Sequence, residues 1–237
     1  MTAQHNTSVN DFFQLFCVEL DQFQKFCFAK EDKFNSYKKK DPQAVAVLCL
    51  AIQSFDFGRG LKALHTNGKS SSSQMTLLRS LLECVVRIKY LVLFDDGFQN
   101  LRYTDLNSYI SRYMDAFKAW PDRLKVDGNE PKPIQDAREA KAKFGKPLPK
   151  DFHKIETLLT QIALKDSEFE ALPAYSYYRE LCPPAHSDLG YLHKRLFSNE
   201  KSPFSCESEI YECATAWLRS AGHDLNLVMN RLKAANA

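Results

Sequence analysis

Apolar residues recur at spacings of three and four along most of the chain, and no segment shows convincing period-two strand alternation. Val9, Phe12, Phe13, Phe16, Leu20, Phe23 and Cys27 form one stripe, which predicts a first helix starting near Asn10. Its Phe-rich face suits core packing or docking on a second subunit. Asp41-Pro42, an N-cap residue followed by a first-turn proline, opens a second helix that runs to about His65 and is nearly all apolar over Ala44 to Ile52. Asn67-Gly68 and the serines Ser70 to Ser73 end it. A third helix, about Ser72 to Phe94, is apolar almost all round and so belongs at the centre of a bundle. Asp95-Asp96-Gly97 stops it, and a fourth helix follows from about Phe98 to Trp120, ended by Pro121.

The span from Pro121 to Lys150 breaks the pattern. It holds four prolines after Pro121 and eight Lys or Arg against five Asp or Glu, which predicts a flexible basic excursion at about 121–150 with a short helix near Ile134 to Lys143. Order resumes at Phe152 to Ile162, and Ser167 with Glu170 fits a capping box for a helix reaching Cys182. Pro183-Pro184 is expected to break that helix, since neither proline donates a backbone N–H and each restricts the residue before it. A short helix over His186 to Phe197 and a long one from about Glu207 to Ala234 complete the chain. The expected architecture is all-α: one helical domain over residues 1–237, a bundle of about six to eight helices.

Composition narrows the function classes. Eight glycines in 237 residues are too few for a turn-rich β-fold or a Gly-lined nucleotide site. A net charge of +3 is too small to imply nucleic acid by itself. Seven cysteines, an odd number without a C-x-x-C pair, read as free thiols, mostly buried, in a reducing cytosol. Met1 to Asp11 carry no Lys or Arg, against a secretory signal, and the apolar run Leu77 to Phe94 is interrupted by Arg79, Glu83, Arg87 and Lys89, against a membrane span. A soluble cytoplasmic protein is expected. The dinucleotide, P-loop, zinc-protease, nucleophile-elbow and EF-hand motifs are all missing.

Two polar anomalies stand out. On the third helix Arg79, Glu83 and Arg87 fall at intervals of four, with Tyr90 close to the same line. Each step of four drifts about 40°, so these groups share a face of an otherwise apolar element, and burying them unpaired would cost several kcal/mol. They form either a salt-bridge network that fixes helix register or a polar pocket inside the bundle. The second anomaly is the segment Tyr175 to Asp188, where a Tyr-rich helix meets Pro183-Pro184 and then His186. A His at a helix start lies near backbone N–H groups that favour its neutral form, which can act as a base or simply cap the helix. Cys182 and His186, even with Glu83, are too few for a metal site, and the two prolines argue against a Cys182–His186 nucleophilic pair.

The Arg79–Glu83 helix, the Tyr-rich helix and the turn Leu181 to His186 together resemble a bacterial helical family of unknown function related to the HEPN superfamily of nucleotide-binding helical bundles. The resemblance covers about Leu77 to Leu196. Many HEPN proteins are dimeric, metal-independent ribonucleases of toxin and phage-defence systems, marked by an Arg, four to six residues and a His. Arg179 and His186 fit that spacing, as do Arg59 and His65. The resemblance implies no cofactor and no metal, a homodimer, RNA or nucleotides as substrate and a regulatory partner protein. It implies His186 as general base or acid, Arg179 or Arg79 stabilising the phosphorane, Glu83 orienting them, and Tyr178, Tyr175 and Arg87 contacting substrate. Lys38 to Lys40 and the lysines from Lys125 to Lys154 would then hold phosphates. The rival classes are a non-catalytic interaction or sensor module with a buried Arg79–Glu83–His186 network, and a small-ligand pocket between helices.

Overall fold

The computed structural model describes residues 8–37, 41–67, 71–120, 130–144, 154–167, 169, 171–185 and 207–234. These form eight α-helices: α1 (Val9–Tyr37), α2 (Pro42–Thr66), α3 (Ser71–Leu93), α4 (Gly97–Ala119), α5 (Lys132–Ala142), α6 (Ile155–Lys165), α7 (Ala171–Ala185) and α8 (Glu207–Ala234). No strand occurs among the described residues. The protein is an all-α bundle, as the periodicity predicts.

α3 is the hub, packing against α2, α4, α6, α7 and α8. One of its sides, with Met75, Leu78, Leu81, Val85 and Ile88, joins the main core, where the α1 stripe Phe13, Phe16, Leu20, Phe23 and Cys27 meets α2 and α8. Its other side, with Leu82, Val86 and Tyr90, packs on Ile155, Leu158, Leu159 and Ile162 of α6 and Ala174 of α7. Each of the buried Leu, Ile, Val, Phe and Met side chains among these contributes about 1.5–3 kcal/mol by leaving water. The Phe stripe of α1 is thus part of the chain's own core.

α2 is squeezed between α1 and α3. A Cβ on Gly58 would lie 2.5 Å from Leu20 Cδ1, and one on Gly60 2.8 Å from Leu77 Cδ1, so the missing side chains set the approach of both neighbours. α2, rather than the Leu77 to Phe94 stretch, is the described helix long and apolar enough to cross a bilayer by length and composition. Here its Ala44, Val47, Leu48, Ala51, Phe55 and Leu61 are buried in the core. The expected Asp41 cap is present: its carboxylate accepts from Ala44 N at 2.9 Å.

Two expectations need correction. α7 does not stop at Cys182 but runs through Pro183-Pro184 to Ala185. Proline's restricted φ is already helical, and the carbonyls that lose donors belong to Arg179 and Glu180, which are exposed and open to water. Ser167 does not open α7: it lies in a turn in which Asp166 O accepts from Phe169 N, and α7 begins at Ala171, too far on for Ser167 to be its N-cap. The short helix expected near Ile134 to Lys143 is present as α5, with buried Ile134 and Ala137, the latter packed with Leu106 and Ile110 of α4; most of the rest of the 121–150 span lies outside the described residues. The helix expected over His186 to Phe197 lies outside the described residues.

The turn from α3 into α4 is clipped by one side chain of α2. Gln43 Nε2 donates to Leu91 O at 2.6 Å and Phe94 O at 3.0 Å, while its Oε1 accepts from Phe98 N at 3.1 Å. One amide thus satisfies terminal groups of two helices. Arg231 of α8 donates to Val92 O at 2.8 Å on the same helix end. Gln43→Ala is expected to lower the unfolding free energy by about 1–3 kcal/mol, measured by urea denaturation, because three part-buried backbone groups lose partners together. An unchanged midpoint would show that the clip contributes nothing.

Candidate functional site

α7 presents Ala174, Tyr178, Leu181 and Cys182, at spacings of three and four, on the side that meets α3. Leu181 is fully buried in the main core and fixes the rotation of the helix, so Tyr178 is delivered to Arg79. Arg79 Nη2 donates to the Tyr178 hydroxyl at 3.1 Å, its Cζ lies 5.1 Å from the centre of that ring, and its Nε donates to Glu83 Oε1 at 3.1 Å. The Arg79–Glu83 pair expected from the i, i+4 spacing is therefore real, and its long-range partner is Tyr178.

The electrostatics follow from that packing. Burial opposes the charge on Arg79, but Tyr178, Cys182 and Glu83 together hold its pKa above the ordinary value. Burial raises the Tyr178 phenol, the Arg79 cation pulls it down and Glu83 pushes it up again. The result is a fixed guanidinium, largely out of water and oriented by two partners, able to meet an oxyanion. Among the described residues no cluster of three metal-ligating side chains occurs.

The other candidates lie elsewhere. Arg87 turns towards α2 and α4 and lines a different cavity. Two steps of four residues accumulate about 80° of rotation, which carries it off the Arg79 side. The Tyr90 hydroxyl accepts from Asn100 Nδ2 at 3.0 Å and its ring stacks on Phe94. Tyr175 is half-buried against the α6–α7 core, and Arg179 is exposed. His186 lies outside the described residues, as do Lys38 to Lys40, Lys125, Lys146 and Lys150. Arg59 and His65 do not form a pair: Arg59 lies near Asp56, at 3.9 Å, and His65 Nδ1 is 2.8 Å from the Tyr211 hydroxyl.

Two buried polar groupings escaped the sequence reading. Lys89 Nζ donates to Asp224 Oδ1 at 3.1 Å and lies 3.6 Å from Asp166 Oδ2, tying α8 and the end of α6 to α3. Asp224 has no exposed surface, and burial raises its pKa against the opposing pull of Lys89. Its signal was an Asp at a core position beside Ala221 and Leu225. The second grouping links Gln74 Nε2, which donates at 2.9 Å to Tyr211, with His65, whose ring stacks on Phe13 at 3.9 Å. A Gln and a Tyr on apolar helix faces were its only trace. Of the thiols, Cys27 is buried and pushed up to about 12, while Cys84 and Cys213 reach about 11, all chiefly by burial. Cys49 is exposed, and the described cysteines are unbridged.

Residues 44–203 match a family of unknown function (DUF5677). The match spans α2 to α7 and continues beyond, covering well over half the chain, and the protein belongs to that family. No curated protein and no solved structure matches it. Arg79, Glu83, Tyr178 and Cys182 all fall inside the matched segment, whereas α1 and α8 fall outside it.

The Arg79–Tyr178 contact has a spectroscopic consequence. Arg79→Ala is expected to move the Tyr178 ionisation further up, because the one group lowering it is removed. The change is read by ultraviolet difference titration, or by NMR of labelled tyrosine, above about pH 9. The folded phenol is already raised, so its protonated form contributes stability that is lost as pH rises through the folded pKa. An unmoved titration would show that the guanidinium and phenol do not interact.

Proposed function

We propose that the chain is a HEPN-like protein that acts on RNA, cleaving it without a metal, and that it works as a homodimer under a regulatory partner in a toxin or phage-defence setting. One observation carries this reading: Arg79 is held by Glu83 and Tyr178 against the last turns of α7, whose final residue Ala185 is followed in sequence by His186. A positioned guanidinium bonded to the helix that precedes His186 in sequence offers one of the two functions phosphodiester transesterification needs, and an imidazole is suited to the other.

In this mechanism His186 takes the proton of a ribose 2′-hydroxyl. The 2′-oxygen bonds to the adjacent phosphorus, and the bond from phosphorus to the 5′-oxygen breaks. The departing oxygen gains a proton from water, and His186 returns the proton it took to solvent, leaving a 2′,3′-cyclic phosphate and a 5′-hydroxyl. Arg79 meets the negative charge that builds on the phosphorane, with Glu83 orienting it, and its raised pKa keeps it cationic throughout. Arg179, exposed on α7, is free to reach a neighbouring phosphate. Tyr175 offers a partly accessible ring for a base. Tyr178, bonded to Arg79, positions the guanidinium rather than stacking freely.

The same network favours a second reading, an interaction or sensor module without catalysis, because Arg79 already spends donors at Nε and Nη2 on Glu83 and Tyr178 within the chain. The two separate by experiment. Wild type, His186→Ala and Arg79→Ala are incubated with structured and single-stranded RNA at low salt with a chelator. Cleavage to cyclic-phosphate ends by wild type, reduced roughly 100-fold or more in both variants with unchanged helical circular dichroism, is the expected result. No cleavage by wild type, with lowered melting temperatures for the variants, would assign the network to structure instead.

A further inference from the structure

A cavity of about 470 Å³ opens between α2, α3 and α4, on a different side of α3 from Tyr178. Its wall is apolar, with Leu50, Leu91, Phe98 and Leu101, and its mouth carries exposed Arg102, Asp105 and Cys49. Arg87 projects from α3 into this lining, and its Nε is buried without a hydrogen-bond partner among the described residues. A guanidinium N–H removed from water with no acceptor costs about 1–3 kcal/mol. Neighbouring groups do not offset that: Cys84, one turn before Arg87 on α3, is held protonated by burial with its pKa near 11, Glu83 is bonded to Arg79, and Asp105 sits at the mouth near a second arginine. The lining therefore has two guanidinium groups against one carboxylate.

We propose that this cavity is a binding site for a small organic oxyanion, a carboxylate or phosphate carried on an apolar body. The oxyanion accepts from Arg87, which supplies a directional N–H donor, and Arg102 adds charge at the entrance. The body packs on Leu91, Phe98 and Leu101, and the volume falls within the range of small-molecule sites. The Gln43 clip holds the start of α4, so Phe98 and Leu101 are presented on a fixed turn. This site uses none of the residues of the proposed RNA chemistry, and either can fail without the other.

The test is isothermal titration of the full chain with phenyl phosphate, benzoate, neutral benzamide and inorganic phosphate. Saturable binding of phenyl phosphate or benzoate is expected, and which of the two binds tighter identifies the head group. Benzamide, which lacks the charge, and inorganic phosphate, which lacks the body, are expected to bind at least about tenfold more weakly. Arg87→Gln is expected to cost at least about tenfold in affinity, and Arg102→Gln, at an exposed position, a smaller factor. Bound ligand also shields Cys49 from iodoacetamide, followed by peptide mass spectrometry. If Arg87→Gln fails to fold, the Arg102→Gln titration and the Cys49 protection decide. No saturable binding by either anion, binding indifferent to charge, or an anion that leaves Cys49 equally reactive would overturn the proposal.

Discussion

A helix enclosed by five others has little solvent face on which to leave charge, yet α3 carries Arg79, Glu83, Arg87 and Lys89. Desolvating those groups without partners would outweigh the burial of several leucines, so neighbouring helices must bring acceptors to stated places along it. α7 answers Arg79 with Tyr178, and α8 answers Lys89 with Asp224, helped by Asp166 at the end of α6. Gln43 and Arg231 do the same for the carbonyls at its C-terminal end. The register of α2, α7 and α8 on the hub is thus specified by polar groups as well as by apolar area.

Local features were legible in the chain because they depend on neighbours a few residues away. Asp41-Pro42 marked the start of α2, and the final helix spans Glu207 to Ala234 as its apolar period indicates. Arg79 and Glu83 were readable as a pair because one helical turn separates them. Tyr178 as their partner was not, since it lies ninety-nine positions beyond Arg79 and only the packing of Leu181 decides which way α7 faces. The same limit hid Asp224 behind Lys89 and Tyr211 behind Gln74. Pro183-Pro184 misled for a different reason: a proline's cost depends on whether the orphaned carbonyls reach water, which sequence does not encode.

The division of α3 into separate polar neighbourhoods bears on function. The family match spans the helices that build both the Arg79 cluster and the Arg87 cavity, while α1 and α8, outside it, close the hydrophobic core behind them. Arg79 and Lys89 are satisfied inside the chain. Among the cations of α3 Arg87 is the exception: its buried Nε has no protein acceptor among the described residues, whereas the other buried orphans, Gln74 Oε1 and Asp224 Oδ2, are acceptors on side chains that each make another bond. A group that burdens the fold without a structural partner is better explained by a ligand than by packing.

That contrast is most directly tested by replacing the three cations of α3 singly with methionine and measuring each unfolding free energy in the absence of ligand. Arg79→Met and Lys89→Met are predicted to lose about 1–5 kcal/mol, because Glu83 with Tyr178 and the buried Asp224 are left uncompensated. Arg87→Met is predicted to leave stability unchanged or raise it. A loss for Arg87→Met as large as for the other two would contradict the account, since it would show that the protein itself supplies the partner of that guanidinium.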